Sequence, residues 1–324
     1  MTLRSIVRGY GIYLPKQILT NSDLEKKIDT SDAWIQERTG IKQRHVAADN
    51  ELTSQMGAKA AQTALAKAGL AADEIDLIIL ATTTPDETMP ATATKIQHVL
   101  GMTRGAAFDI NAACSGFVYA VATADTFIRS GQAKRVLVIG AEKYSRILDW
   151  KDRSTCILFG DGAAAFVLES AEGKGKSSDR GVLFTSLYSD GQYNAILRTN
   201  GGIGSSGTAG TVTMAGKEVF RHAVAKMADV VEEGLKTLGL ATKDMDWMIP
   251  HQANNRILAG VAKRLGIGED KLISTVANHA NTSAASIPLA VSLAADDGRI
   301  KQGQLLVLPA LGAGLTWGAC ILRW

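Results

Sequence analysis

The chain repeats itself, and the repeat limits what it can fold into. Ile75-Asp76-Leu77-Ile78-Ile79 is echoed by Met245-Asp246-Trp247-Met248-Ile249, 170 residues later. At the same offset, Asn111-Ala112-Ala113-Cys114-Ser115-Gly116 is echoed by Asn281-Thr282-Ser283-Ala284-Ala285-Ser286. Leu100-Gly101-Met102 is matched by Leu265-Gly266-Ile267. Ile128–Gly131 with the apolar run Val136–Gly140 is matched by Ile300–Gly303 with Leu305–Leu308. Four matches in one order define two related halves of roughly 160 residues, each of ordinary domain size. The division falls at residues 1–172 and 173–324.

Each half alternates helix and strand. A helix-like stretch, Ser54–Gly69, sets Ala61, Ala64, Leu65 and Ala68 on one face and leads to the apolar run Leu77–Ala81. A helix (Ala91–Leu100), a strand (Ala106–Ile110), a helix (Ser115–Arg129) and a strand (Arg135–Gly140) follow. Short strands that are nearly all apolar predict sheets buried on both faces. Two such halves packed about a pseudo-twofold give alternating layers of helix and sheet, with ligands at the carboxyl ends of the strands.

Composition narrows the function. No run approaches the ~20 apolar residues of a membrane span, and the start MTLRSIVRGYGIYLP lacks the apolar core of a signal peptide. A cytoplasmic protein is expected. Three separated cysteines (Cys114, Cys156, Cys320) form no CxxC pair, and five histidines form no HxxxH pair, so neither a disulfide framework nor a metal is expected. A net charge of +3 is too mild for a nucleic-acid protein, yet it does not repel an acidic partner.

Cys114 follows a strand-like segment and opens a helix-like one, where a thiolate gains from the helix N-terminus; its pKa is therefore expected to be lowered. Small neighbours leave room for an acyl group, whereas Cys156 and Cys320 read as buried apolar residues. His251 follows Met248-Ile249-Pro250 and opens the expected helix Gln252–Leu265. Asn281 is the repeat partner of Asn111, so the duplication brings His251, Asn281 and Cys114 toward one central crevice. Each alone also fits a helix cap. The turn Leu311-Gly312-Ala313-Gly314 could bring backbone amides close to a reacting carbonyl, or simply be a tight turn. Gly202-Ile203-Gly204-Ser205-Ser206-Gly207 matches GxGxxG but has no strand before it and reads as a flexible loop. On the helix after His251, Arg256, Lys263 and Arg264 share one face and with Arg221 form either a solvated face or a basic patch.

Ala113-Cys114-Ser115-Gly116, Pro250-His251-Gln252-Ala253-Asn254, Asn281–Ser286 and Gly312-Ala313-Gly314-Leu315-Thr316-Trp317-Gly318 together resemble the signatures of β-ketoacyl-acyl-carrier-protein synthase III. The resemblance runs from Gly9–Pro15 to Arg323-Trp324. It implies a thiolase-like α/β fold, five-layered αβαβα, assembled as a homodimer. It implies a Cys114–His251–Asn281 site and oxyanion donors at the amides of Cys114 and Ala313. It implies a short acyl-CoA primer, typically acetyl-CoA, and malonyl-acyl carrier protein, with neither metal nor redox cofactor. Trp34 and Arg153 would then sandwich the adenine of CoA. Thr30, Arg38, Phe220, Asn254 and Arg256 would line its tunnel, and Arg221, Arg256, Lys263 and Arg264 would dock the acidic carrier. Ala280 and Ala313 stand where glycine is common, and Met89 where a phenylalanine from the partner often closes the acyl pocket.

Related condensing enzymes fit less well. A biosynthetic thiolase needs a second cysteine near the C-terminal glycine turn, and a hydroxymethylglutaryl-CoA synthase needs a glutamate that the aligned positions lack. Plant-type polyketide synthases share the Cys-His-Asn set but are usually longer; a sister enzyme making a quinolone or another secondary metabolite stays open as an alternative. A non-catalytic acyl-CoA-binding scaffold would be expected to lack Cys114 or His251.

Overall fold

The computed structural model describes residues 2–324. Its two main sheets are built to one plan. The first runs in the order Thr2–Tyr13, Gly162–Gly173, Arg135–Glu142, Leu77–Ala81, Ala106–Ile110. The second runs Gly181–Ser189, Thr316–Arg323, Leu305–Gly312, Trp247–Met248, and ends in a single bridge from Met248 to Leu272. Strand directions match position by position: the first two pairings of each sheet are antiparallel and the later ones parallel.

Alternation along the strands explains the layering. Leu77, Ile79 and Ala81 face one core, shared with the helices Gly116–Arg129 and Ser286–Asp296, while Ile78 and Leu80 face another, shared with the helix Thr53–Ala68. In the second sheet Leu306, Leu308 and Ala310 face the same central helices, and Leu305 and Val307 face an outer core with the helices Gly216–Thr237 and Asn255–Leu265. The result is five layers, αβαβα, with two helices between the sheets. Each of these buried leucine, isoleucine and valine side chains contributes about 1.5–3 kcal/mol, which is why these central strands are apolar on both faces. A fourth cluster joins Leu19, Leu24, Ile35 and Ile41 to Tyr144, Phe159, Val219 and Val276. It straps the segment between the first strand and the first long helix across both halves.

The long helix ends where expected, on Gly69 in the left-handed region (φ 67°). Three sequence-based expectations need correction. The helix expected at Gln252 begins at Asn255, because Asn254 caps it by accepting from the Ile257 amide at 3.0 Å. The helix expected at Ser115 begins at Gly116, after a 3-10 turn over Ala113–Ser115. The Gly202–Gly207 stretch holds a one-turn helix, Ile203–Ser206, rather than an irregular loop.

Candidate active site

The repeat builds the centre of the molecule twice. Asn111 accepts from the Ala113 amide at 3.2 Å, and Asn281 accepts from the Ser283 amide at 2.8 Å. Ala113 and Ser283 both take positive φ, 48° and 49°, which non-glycine residues rarely adopt. A 3-10 turn and a central helix follow in each half. These two turns set Cys114 and Asn281 beside each other. Gly312 lets the second sheet press against the first turn, since a Cβ there would stand 2.7 Å from the Cys114 nitrogen.

Cys114, His251 and Asn281 line one cavity of about 550 Å³. Its wall is apolar (Ile157, Leu158, Phe159, Val219, Leu311), and its outer part carries Trp34, Arg38, Lys217, Phe220, Asn254 and Arg256. All three central residues are buried. The Oδ1 of Asn281 is taken by the Ser283 amide, which leaves its NH2 as the group able to donate elsewhere. His251 places Nδ1 2.7 Å from the Ser286 hydroxyl. Burial pushes its pKa down to about 3, so its imidazole is neutral at physiological pH.

The thiol behaves opposite to the sequence expectation. Burial pushes Cys114 up to about 12, with Glu142 raising it further and the Ser283 hydroxyl pulling the other way. The helix N-terminus does not overcome complete desolvation, so the resting group is a thiol. Glu142, which the sequence did not single out, is close enough to Cys114 to act on its charge. It ends a central strand, fully buried, and accepts from the Thr82, Thr83 and Thr84 hydroxyls and the Thr83 amide at 2.7–3.3 Å. Those donors hold its carboxylate, and it does not join the cavity wall.

The remaining sequence candidates scatter more. Trp34 lies under the Arg38 guanidinium at 4.5 Å and that of Arg153 at 5.2 Å. Arg153 is also bound by Asp29, at 2.7 Å to its carbonyl and 2.9 Å to its carboxylate. Thr30 is outside the cavity wall, and its hydroxyl is buried without a partner. Ala313 lines a neighbouring cavity of about 480 Å³ together with Ala112, Ala113 and Thr316; Tyr144 and Leu197 border both spaces. Met89 is 83% exposed and lies away from the cavity of its own chain. Arg221, Arg256, Lys263 and Arg264 are all exposed, with Arg264 paired to Asp229. Sequence reasoning missed Lys217, Tyr144 and Ser286. Only Ser286 carried a signal, as the last residue of the repeated Asn281–Ser286 stretch. Among the described residues no three His, Cys, Asp or Glu side chains converge as metal ligands.

Comparison with known proteins gives a uniform result. Residues 108–191 match the family model for 3-oxoacyl-(acyl-carrier-protein) synthase III, and residues 235–324 match the model for its C-terminal part. A β-ketoacyl-(acyl-carrier-protein) synthase III of Rhizobium rhizogenes is 58% identical over 99% of this chain and 100% of its own length. The crystal structure of 3-oxoacyl-(acyl-carrier-protein) synthase III from Aquifex aeolicus superposes with a TM-score of 0.93 at 46% identity, covering 99% of this chain and 100% of that one. The Pseudomonas aeruginosa enzyme superposes equally well, TM-score 0.93 at 42% identity, over 99% and 98% of the two chains.

Proposed function

Because this chain belongs to the 3-oxoacyl-(acyl-carrier-protein) synthase III family, we propose that the central cavity runs two half-reactions on Cys114, His251 and Asn281. The protein is an acyl-transferring condensing enzyme that initiates type II fatty-acid synthesis. It joins a short acyl-CoA primer, typically acetyl-CoA, to malonyl-acyl carrier protein. The products are a β-ketoacyl-acyl carrier protein, CoA and CO2. The observation that carries the residue assignment is the meeting of a thiol, a neutral imidazole and an amide with its NH2 left to donate in one largely apolar cavity.

In the first half-reaction Cys114 attacks the primer thioester, and the backbone amides of Cys114 and Ala313 hold the oxyanion. Resting as a thiol, Cys114 gives up its proton as the new bond forms, and the departing CoA sulfur takes one up. In the second, malonyl-acyl carrier protein enters, and His251 and Asn281 donate hydrogen bonds to its thioester carbonyl. Loss of CO2 then leaves a stabilised enolate, which attacks the acyl-cysteine and expels the Cys114 sulfur; that sulfur takes up a proton and returns to the resting thiol. Two neutral donors suit a charge that develops only as CO2 leaves. Neither half-reaction as written calls on a metal or redox cofactor.

Trp34, Arg38, Phe220, Asn254 and Arg256 are read as the CoA channel, with Thr30 and Arg153 at its edge. An adenine between Trp34 and Arg153 requires Arg153 to swing from Asp29. Arg221, Arg256, Lys263 and Arg264 are read as the face that meets the acidic carrier. A homodimer is supported by the unpaired, half-buried edge strand Ala106–Ile110 and by the exposed Met89, which suits closure of a partner's acyl pocket. Residues 1–172 and 173–324 are taken as the two halves, and a cytoplasmic location fits this pathway.

The test is intact-mass detection of one acetyl group on Cys114 after mixing with acetyl-CoA, followed by its loss on adding malonyl-acyl carrier protein. Acetylation at another residue, or none, overturns the assignment.

A further inference from the structure

At neutral pH His251 has one proton to share between two ring nitrogens, because burial keeps the imidazole uncharged. Nδ1 faces Ser286, so Nε2 is the nitrogen left toward the cavity that His251 lines. A ring with its proton on Nδ1 offers the substrate only an acceptor. The choice of tautomer therefore decides whether His251 can donate at all.

We infer that Ser286 is a positioning residue for the condensation, fixing His251 as the Nε2-protonated tautomer by donating its hydroxyl proton to Nδ1. The proton count carries this. Ser286 is 2% exposed, and its oxygen has two neighbours within hydrogen-bond distance: Nδ1 of His251 at 2.7 Å and the backbone N–H of Gln252 at 3.3 Å. The Gln252 N–H can only donate, so it occupies a lone pair of the hydroxyl. The hydroxyl hydrogen has Nδ1 as its acceptor. The opposite tautomer would aim two donors at the same oxygen and leave the Ser286 hydrogen buried without a partner.

The repeat supplies a second, independent observation. His251 and Ser286 correspond, at the 170-residue offset, to Ala81 and Gly116. Those two also meet in the first half, where a Cβ on Gly116 would stand 3.1 Å from the Cβ of Ala81. The fold thus closes this crossing with two small apolar residues. Packing alone does not call for a hydroxyl against an imidazole, and the pair appears only in the half assigned to enolate stabilisation. The inference rests on the reading of His251 as a donor to the malonyl thioester.

The experiment uses the full-length protein labelled with 15N-histidine, read by two-bond 1H–15N correlation at neutral pH without substrate. The His251 signals are identified by their loss in His251→Gln. The wild-type ring is expected to show a protonated Nε2 and an unprotonated Nδ1. In Ser286→Ala a second pattern, from the Nδ1-protonated form, should appear. Decarboxylation of malonyl-acyl carrier protein should slow in kcat by about 3- to 10-fold, the worth of one hydrogen bond. Acetylation of Cys114 should persist, and Ser286→Thr, which keeps the hydroxyl, should recover much of the loss. A wild-type ring protonated on Nδ1 overturns the inference, even if the alanine variant fails to fold. So does equal loss of both half-reactions in Ser286→Ala with the tautomer unchanged. If instead His251→Ala leaves decarboxylation intact, the reading of His251 as donor fails, whatever the tautomer proves to be.

Discussion

The two halves share a backbone at their centre and almost nothing of its chemistry. Asn111 and Asn281 close the same turn, and Ala113 and Ser283 hold the same left-handed φ. The next residue is a cysteine in one half and an alanine in the other, Cys114 against Ala284. Where the first half places Ala81 against Gly116, the second places His251 against Ser286. What the halves have in common is thus what the fold needs. What differs is what the proposed reaction needs: a nucleophile from one side, hydrogen-bond donors from the other.

Moving the nucleophile across the pseudo-twofold is the harshest test of this division. Cys114→Ala should lower condensation by more than ~1000-fold, since the nucleophile is lost. The double variant Cys114→Ala/Ala284→Cys keeps the thiol and the turn, yet should recover nothing. Ala284 is 1% exposed, and it does not line the cavity. Steady-state rates of both variants decide it, and recovery in the double variant would mean that the two turns are interchangeable.

The paired asparagines separate fold from chemistry at the next level. Asn281→Ala should slow malonyl decarboxylation by about 100-fold, as should His251→Ala, with acetylation of Cys114 retained. Asn111→Ala removes the equivalent turn bond at 3.2 Å. It should cost about 1 kcal/mol of stability and leave the decarboxylation step largely intact. Single-turnover assays with a thermal melt for each variant make the comparison. A decarboxylation defect in Asn111→Ala as large as that of Asn281→Ala would erase it.

This asymmetry also explains what could be read from the sequence. The layers were legible because the apolar strands Leu77–Ala81 and Arg135–Gly140 recur at fixed distance from Trp247 and Leu305. The meeting of Cys114 and Asn281 was legible because the repeat carries both to one crevice, where they line one cavity with His251. The onset of the central helices was not. Ala113 and Ser283 adopt a φ that their side chains disfavour, held by tertiary contact rather than local propensity. The segment from Leu19 to Ile41 belongs to neither repeat, so its place over the cavity had no internal template. Ser286 was visible as a letter, but its partner lies 35 residues away.

Protonation of the thiol sharpens the contrast between local and tertiary effects. Position at a helix start argues for a lowered Cys114 pKa, whereas burial pushes it up to about 12. Because burial dominates, the thiolate fraction grows about tenfold per pH unit through neutrality and beyond. Alkylation of Cys114 by iodoacetamide, followed by peptide mass, should then rise steadily from pH 7 to 9 and be blocked by acetyl-CoA. A plateau near pH 7 would show that the helix terminus prevails.

The smallest effect concerns the outer helices, which the repeat also pairs. Thr92–Val99 and Asn255–Leu265 both run into a left-handed glycine, Gly101 (φ 71°) and Gly266 (φ 65°). Counting back from those glycines, His98 and Val99 of the first half stand where the second half has Lys263 and Arg264, and all four are exposed. Arg264 is drawn to Asp229, which leaves Lys263 as the freer cation of the pair. It lies about 10 Å along the helix from Arg256, at 1.5 Å per residue, and so beyond the cavity wall that Arg256 joins. An exposed charge there acts on encounter more than on chemistry. Lys263→Glu should therefore raise KM for malonyl-acyl carrier protein by about 3- to 10-fold at low salt. The defect should shrink as ionic strength rises, because the Debye length falls to ~8 Å at physiological salt. Acetylation by acetyl-CoA should stay unchanged. His98→Glu, the matching substitution on the first half, should alter neither step. Kinetics of the two variants at low and high salt test the assignment of the carrier to the second half alone, and an equal defect in His98→Glu would remove it.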